Sequence, residues 1–129
     1  MSIEENKAFI RRFMSDLNQA NWAESIGEFL QEPYDEVIKG HAQFRAAFSD
    51  YHFTIEELIA EGDKVMVRGT VHATHNAEFP VAELKGVVAT GKKLEWSEVQ
   101  IFKIADGKIA DGLLLVDGVS RLQQLGVLA

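Results

Sequence analysis

Apolar residues recur at helical spacing through the first third of the chain. Between residues 3 and 18 they return at steps of three and four with charges between them, which predicts an amphipathic helix. A second helix follows, with four apolar residues from Trp22 to Leu30 on one side, and Pro33 ends it or keeps the chain extended. A third, short helix is predicted from Ala42 to Phe48, with its apolar side facing inward.

From Phe53 onward the period changes to two, which is the repeat of a β-strand. The clearest strand alternates apolar or small residues, from Val65 to Ala73, with polar ones. Asp106-Gly107 is a strong hairpin signal between two such segments, whereas residues 77–93 show no regular period. Strands are therefore predicted over residues 53–60, 64–75, 94–104 and 108–116.

The end of the chain predicts one more short helix, from Gly118 to Leu125, with Gly126 as its C-terminal stop. Helices therefore come first and a mostly antiparallel sheet follows, an order typical of an α+β domain. We expect a single domain over residues 1–129, with the N-terminal helices packed on one face of a strongly curved sheet. Such a sheet, closed by helices, tends to leave a pocket inside.

Composition narrows the classes of function. The 129 residues carry a net charge of −7, which would repel a phosphate backbone, so we expect no nucleic-acid partner. We also expect no membrane partner, because the longest aliphatic run, Leu113 to Val116, is far too short for a span. Glu4 and Glu5 stand where a signal peptide would be basic. The absence of cysteine excludes thiolate chemistry and fits a reducing cytoplasm, which is the expected location.

Two motifs suggest cofactor or metal binding, but neither meets the full requirements of such a site. GVVATGKK, residues 86–93, resembles a phosphate-binding loop, but Lys93 stands where serine or threonine would reach magnesium. HATH places His72 and His75 three apart in a strand, where they point to opposite faces and cannot hold one ion. We therefore predict neither a cofactor nor a metal. Of the two histidines, only His75 falls on the same face of the strand as Val67, Val71 and Ala73, which is predicted to point inward. It is therefore either a buried structural histidine or an acid–base group.

The strand over residues 94–104 places a carboxylate among aromatic residues. Glu98 and Gln100 share one parity with Trp96 and Phe102. If this set faces the interior, burial raises the pKa of Glu98 and suits it to proton transfer, and Gln100 could donate a hydrogen bond to a developing oxyanion. If the strand emerges at the rim, Glu98 is solvated. The pattern leaves both possibilities open.

Asp117 directly follows the apolar segment Leu113 to Val116 and is a third candidate for the acid–base group. It stands directly before the predicted helix at Gly118, where aspartate is a favoured N-cap because its oxygen accepts a free backbone N–H. If Leu114 and Val116 face the interior, the alternation of the strand turns Asp117 the other way. The pattern favours a helix cap over a catalytic acid.

Three segments, THNAEF, TGKKLEWSEVQIFKIADGKI and LLVDGVSRLQQLG, resemble the SnoaL-like polyketide cyclase family of the nuclear transport factor 2-like superfamily. The resemblance extends over residues 3–126 and implies a cone-shaped α+β barrel, a deep pocket in its mouth and a homodimer packed through the sheets. It also implies a cofactor-free, metal-free aldol cyclisation by an aspartate and an assisting histidine, with the enolate stabilised by delocalisation in the substrate. The positions of that acid and histidine are occupied here by Leu114 and Gln100.

Together, the residues and the resemblance predict an apolar pocket for a small hydrophobic carbonyl compound. Any chemistry would be cofactor-free proton transfer, such as aldol cyclisation, isomerisation or dehydration, with Glu98, His75 or Asp117 as the acid–base group. The predicted wall and mouth of the pocket consist of Trp96, Gln100, Phe102, Leu114, Val116 and Tyr34, with Gly69 and Gly112 leaving space.

Two other functions stay open. The residues at Leu114 and Gln100 favour a non-enzymatic module that binds a ligand or dimerises. Epoxide hydrolysis, which a related barrel family performs with an Asp–Arg–Asp set, is the weaker alternative. Arg68 is the only arginine of the predicted sheet, and the alternation of the strand places it on the solvent-exposed face.

Overall fold

The computed structural model describes residues 2–128, which form helices followed by one antiparallel sheet and a last helix. The α+β architecture and the order of elements are as the sequence predicts. The N-terminal part contains helices α1 (Ile3–Leu17), α2 (Trp22–Ser25) and α3 (Asp35–Ala47), with a 3-10 turn at Ile26–Phe29. The sheet consists of β1 (Phe48–Glu61), β2 (Lys64–His75), β3 (Lys93–Ala105) and β4 (Lys108–Val116), with a 3-10 turn at Ala82–Leu84 and helix α4 (Gly118–Leu125).

Local hydrogen bonds fix both ends of α1. Ser2 and Glu5 form a reciprocal capping box, which satisfies two of the backbone N–H groups that a helix start leaves free. At the other end, the side chain of Asn18 accepts a 2.8 Å hydrogen bond from Phe53 N and donates one of 2.9 Å to Phe53 O. The C-terminal end of α1 is thereby attached to the middle of β1.

The four strands form a meander in the order β1-β2-β3-β4, with every neighbouring pair antiparallel. Register shifts in the β1–β2 pairing, between Ser49 and His52 and between Ile55 and Glu57, bend the sheet as bulges do. Helix α1 packs on the concave face, where Phe13 meets Phe102 of β3 at 5.6 Å between ring centroids. The fully buried core lies there too, and includes Ile10, Met14, Phe53, Val65, Val67 and Val71.

Two predicted starts are wrong, and the predicted second helix is a four-residue α-helix, Trp22–Ser25, followed by the 3-10 turn. Helix α3 starts at Asp35, seven residues before the predicted Ala42, because most of its side chains stay accessible and give no apolar stripe; Ala47 is its buried residue. Strand β1 starts at Phe48, five residues early, since the bulge at Asp50, with a φ of 57°, breaks the two-residue period. The limits of β2 and β4 are as predicted.

The prediction that Gly69 leaves space in the pocket is wrong. A Cβ built on Gly69 would lie 2.2 Å from the carbonyl oxygen of Thr54 and 2.5 Å from the Phe53 ring. Strand β1 therefore passes directly over this glycine and fills the position. Separately, no helix within residues 2–128 has the length and apolar character needed to cross a bilayer.

Candidate functional site

A cavity of about 710 Å³ lies between the concave face of β3 and β4 and the helices α1 and α3. Its walls are largely apolar, with a few polar side chains pointing inward, which is the composition typical of small-molecule sites. Apolar lining comes from six segments of the chain and includes Phe13, Ile26, Phe44, Phe79, Phe102 and Ile109.

The register of the β3–β4 hairpin brings together most of the predicted pocket residues. Directly paired residues of an antiparallel ladder point to the same face of the sheet. The ladder pairs Glu98 with Val116, Gln100 with Leu114, and Phe102 with Gly112. All six line the cavity, and Tyr34 joins them from the segment before α3. Gly112 has ordinary space around it, because a Cβ there would lie 3.7 Å from the Phe102 ring.

Three carboxylates line the cavity: Glu36 and Asp111 are exposed, whereas Glu98 is buried, at only 6% exposed. Its Oε2 accepts a hydrogen bond of 2.8 Å from Trp96 Nε1, and its Oε1 accepts a longer one of 3.4 Å from Gln100 Nε2. Burial raises the pKa of Glu98, although the Trp96 hydrogen bond and the charge of Arg121 act in the opposite direction. The solvated-rim alternative is therefore wrong, because the side chain is inside, where burial disfavours its charged form relative to water.

Arg121 of α4 is a cavity residue that the sequence analysis missed. It is 7% exposed, and its Nη2 donates a 3.2 Å hydrogen bond to Glu83 Oε1 in an ion pair. The guanidinium carbon lies 4.9 Å from the centroid of the Trp96 ring, within cation–π range. Its Nε is buried and has no hydrogen-bond acceptor among the described residues. One signal was present: Arg121 lies four residues before buried Leu125, on the same side of the helix.

His41 and Tyr51 also line the cavity and were not predicted. Their rings meet edge to face at 5.0 Å, and Trp22 contacts the His41 ring at 4.8 Å. Burial, followed by the charge of Arg45, lowers the pKa of His41 to about 4, so this imidazole is neutral near pH 7. Burial, followed by the charge of Glu98, raises the pKa of Tyr51, which keeps its hydroxyl protonated.

His75 and Trp96 lie outside the cavity lining. His75 is completely buried at the far end of β2, where Thr90 N donates to its Nδ1 at 3.2 Å and the Phe48 ring lies 5.2 Å away. The structure does not bring it together with Glu98. Trp96 is buried behind the cavity surface, so its contact with the site is indirect, through the indole N–H that holds Glu98.

Asp117 caps α4. Its Oδ1 accepts a 3.0 Å hydrogen bond from Ser120 N, and the side chain is exposed outside the cavity. The helix then ends at Gly126 in the left-handed conformation, with a φ of 82°. The structure thus shows the capping geometry that the pattern favours. Within residues 2–128, no group of three His, Cys, Asp or Glu side chains is arranged to hold a metal ion.

Comparison with known proteins gives a family match and a well-defined fold. The model of the SnoaL-like polyketide cyclase family matches residues 8–125. The structure of AclR from Streptomyces galilaeus, a proposed hydroxylase, aligns with a TM-score of 0.81 at 25% identity, over 99% of this chain and 100% of that one. A comparison with curated protein sequences finds no match.

Two further solved structures are more distant in sequence and show the same fold. A proposed SnoaL-like polyketide cyclase from Jannaschia sp. CCS1 aligns with a TM-score of 0.85 at 17% identity, over 100% of this chain and 97% of that one. A proposed polyketide cyclase from Acidithiobacillus ferrooxidans aligns with a TM-score of 0.78 at 24% identity, over the full length of both chains.

Proposed function

Because the chain belongs to the SnoaL-like polyketide cyclase family, we propose that its cavity binds a small, largely apolar carbonyl compound and that Glu98 transfers a proton on it. The observation that carries this proposal is the position of Glu98, a buried carboxylate on the wall of an apolar cavity, fixed by the indole N–H of Trp96. Its raised pKa brings the group closer to the pH at which a general acid–base is most effective.

Glu98 takes a position that differs from the one the family resemblance assigns to the catalytic acid. That position is Leu114, which is paired across the hairpin with Gln100, at the position of the assisting histidine. Glu98 is the next inward residue along β3 from Gln100, so its carboxylate faces the same part of the cavity. A group able to transfer a proton therefore lies two residues along β3 from Gln100, beside the Leu114–Gln100 pair that takes the place of the family's acid and histidine.

The proposed reaction begins with an enolisable carbonyl compound beside Glu98. Oε1 is the better base of the two oxygens, because Oε2 is engaged at 2.8 Å by Trp96. Oε1 takes a proton from the carbon next to the carbonyl group, and the C–H electron pair forms an enolate. The enolate either attacks a second carbonyl group, whose new alkoxide receives the proton from Glu98, or regains the proton at another carbon. The first outcome is an aldol cyclisation and the second an isomerisation.

A non-enzymatic ligand-binding protein is the second candidate, and the loss of the family's acid–histidine pair at Leu114 and Gln100 favours it. The fold alone does not decide between the two, because related structures include both proposed cyclases and a proposed hydroxylase. Arg68 forms its ion pairs with Glu56 and Glu57 and is not a cavity residue, so nothing at the site favours epoxide hydrolysis.

The test is the exchange of α-protons of 2-tetralone, a two-ring ketone, in deuterated buffer, followed by proton NMR. We expect the protein to accelerate exchange and Glu98→Gln to reduce the rate by about 100- to 10,000-fold, the usual contribution of a general acid–base. Glu95→Gln, a variant on the opposite face of β3, is the matched control and should exchange like the unmodified protein. Saturable binding of 2-tetralone without faster exchange would instead support the ligand-binding function.

We further propose that a second copy of the chain covers the convex face of the sheet. An apolar row crosses all four strands there, because the ladders pair Ile59 with Met66, Met66 with Ile101, and Ile101 with Leu113. Leu113 is 54% exposed and its neighbour Leu115 is 56% exposed. The family resemblance implies a dimer through the sheets, and this row is the surface that would supply it.

A further inference from the structure

We propose that Arg121 binds the carbonyl oxygen of the substrate and stabilises the negative charge that develops on it. This inference rests on the proposed proton transfer by Glu98 and assigns a catalytic residue on α4. It also extends the expected substrate class to simple ketones. The family resemblance implies a substrate that stabilises its own enolate by delocalisation, whereas a cation in the cavity removes that requirement.

The first support is the shared contact with Trp96. The edge of the indole ring donates from Nε1 to Glu98, and its face carries the guanidinium of Arg121 at 4.9 Å from the centroid. One buried side chain therefore fixes both groups on the cavity wall. Preorganisation of this kind is what makes an electrostatic contact effective in a transition state.

The second support is that Arg121 and Glu98 are near each other without forming an ion pair. The charge of Arg121 lowers the pKa of Glu98, so its field reaches that carboxylate. Among the described residues, however, the carboxylate that pairs with Arg121 within 4 Å is that of Glu83, not that of Glu98. The cation and the carboxylate thus line one cavity without a direct ion pair between them.

The third support is the unused hydrogen-bonding capacity of a buried charge. A guanidinium group has five N–H donors, and a buried one is normally satisfied. Nη2 donates to a single oxygen of Glu83, whose side chain is 42% exposed, and Nε is buried without an acceptor. Because the side chain of Glu83 is partly exposed, water screens its charge. Glu83 therefore neutralises the charge of Arg121 only in part. Because Arg121 lines the cavity, an anionic oxygen there could accept hydrogen bonds from N–H groups of its terminal nitrogens.

These contacts place the two halves of enolisation on two side chains. Glu98 takes the proton from the α-carbon, the C–H electron pair becomes the new C=C bond, and the carbonyl π pair moves to the oxygen. Arg121 holds that oxygen as the enolate forms and releases it when the carbon is reprotonated or attacks a second carbonyl group. Arginine suits this role because it stays charged at every working pH.

The test uses 4-nitrophenol as a probe, because its anion imitates an enolate oxygen and absorbs visible light. We expect the probe to bind preferentially as the phenolate, so that bound probe ionises at a lower pH than free probe. Arg121→Met should weaken phenolate binding by about tenfold or more, the effect of losing one charge-assisted hydrogen bond. Nitrobenzene, a neutral probe of similar shape, should bind both proteins within about twofold, as expected where apolar contacts dominate.

Two further variants keep the test decisive. Arg121→Lys should retain part of the phenolate preference, which controls for damage to the packing on Trp96. Glu98→Gln should keep the preference while losing α-proton exchange, so failure of the Glu98 proposal and failure of the Arg121 proposal are separately visible. Equal phenolate affinity in the Arg121→Met variant, or no binding of either probe to the unmodified protein, would overturn the assignment.

The substrate range gives an independent readout. Enolate formation from cyclohexanone gains no aromatic delocalisation, whereas that from 2-tetralone does. We therefore expect Arg121→Met to reduce the turnover of α-proton exchange more strongly for cyclohexanone than for 2-tetralone. An equal reduction for both ketones would argue against stabilisation of the oxyanion and for a purely structural role.

Discussion

The indole Nε1 of Trp96 donates a hydrogen bond of 2.8 Å to Oε2 of Glu98, two residues further along β3. Both side chains leave the strand on its concave face, because residues two apart in a strand share a face. The bond therefore links a residue of the core to a residue of the cavity. It fixes the orientation of the carboxylate and leaves Oε1 as the oxygen better placed to exchange a proton.

Replacing Trp96 with Phe should change the ionisation of Glu98. The indole hydrogen bond lowers the pKa of Glu98 against the effect of burial, so its loss should raise that pKa further. We expect the acidic limb of the pH–rate profile for 2-tetralone exchange to move to higher pH. The free energy of unfolding should fall by about 1.5–3 kcal/mol, the usual worth of a hydrogen bond to a charged group. An unchanged limb would mean that Trp96 does not tune the carboxylate.

The raised pKa of Glu98 predicts a definite pH dependence of stability. A carboxyl group that holds its proton more tightly when folded stabilises the protein at low pH and loses that contribution as pH rises through the folded pKa. Glu98→Gln does not titrate there. The stability of the unmodified protein relative to this variant should therefore decline above pH 4.5, the unfolded value, and then level off. Urea unfolding at a series of pH values measures it, and a constant difference would contradict the assignment.

His41 should have the opposite effect on stability. Its folded pKa is lowered to about 4 from 6.5, so folding favours the neutral imidazole and stability is lost as pH falls through that window. We expect a histidine ring signal in an NMR titration with a midpoint near 4. His41→Phe should remove this signal and lessen the loss of stability in acid. A midpoint at the ordinary value would show that the ring is hydrated.

Asp117 should prove structural. Asp117→Ala removes the acceptor of the 3.0 Å bond from Ser120 N and should cost about 1 kcal/mol, whereas Asp117→Asn keeps an oxygen and should cost little. Both variants should exchange the protons of 2-tetralone at the unmodified rate. A large loss of activity in the Asn variant would restore Asp117 as a catalytic candidate.

The apolar row on the convex face predicts a dimer that a single charge can weaken. Leu113→Lys would place an ammonium group in the proposed interface, at the β4 end of the apolar row, where it loses its water. Sedimentation velocity should show a dimer for the unmodified protein and a shift towards monomer for this variant. Val88→Lys changes another exposed aliphatic residue, on the loop between β2 and β3, and should leave the sedimentation coefficient unchanged. A monomeric unmodified protein would rule the interface out.

The sequence predicted the sheet better than the helical layer because the two carry different signals. The alternation in β3 and β4 identifies Glu98, Gln100, Phe102, Leu114 and Val116 as cavity residues, and the ladder places them together. Helix α3 lines an open cavity, so the burial that would mark its inward face is incomplete and its start was missed.

Arg121 and Tyr51 were not predicted to line the cavity, and the physical reasons differ. Arg121 is a charged residue in a short amphipathic helix, and such residues usually face solvent; its burial depends on Trp96 and Glu83, which are distant in sequence. Tyr51 lies before the predicted start of the strand at Phe53, because the bulge at Asp50 interrupts the alternation between Phe48 and Tyr51. His75 has the predicted inward direction, but parity along a strand does not tell how far along the sheet the cavity extends.

The four consecutive residues from Glu98 to Ile101 divide between two surfaces: Glu98 and Gln100 line the cavity, and Val99 and Ile101 face the convex side, where Ile101 belongs to the apolar row. A deletion or insertion of one residue in this segment would therefore exchange the two sets, presenting charge on the convex face and hydrocarbon in the cavity. Changes of ligand preference are accessible through point substitutions at the even positions, whereas changes in the length of β3 are not. Variation in length is better tolerated in the loop over residues 76–92.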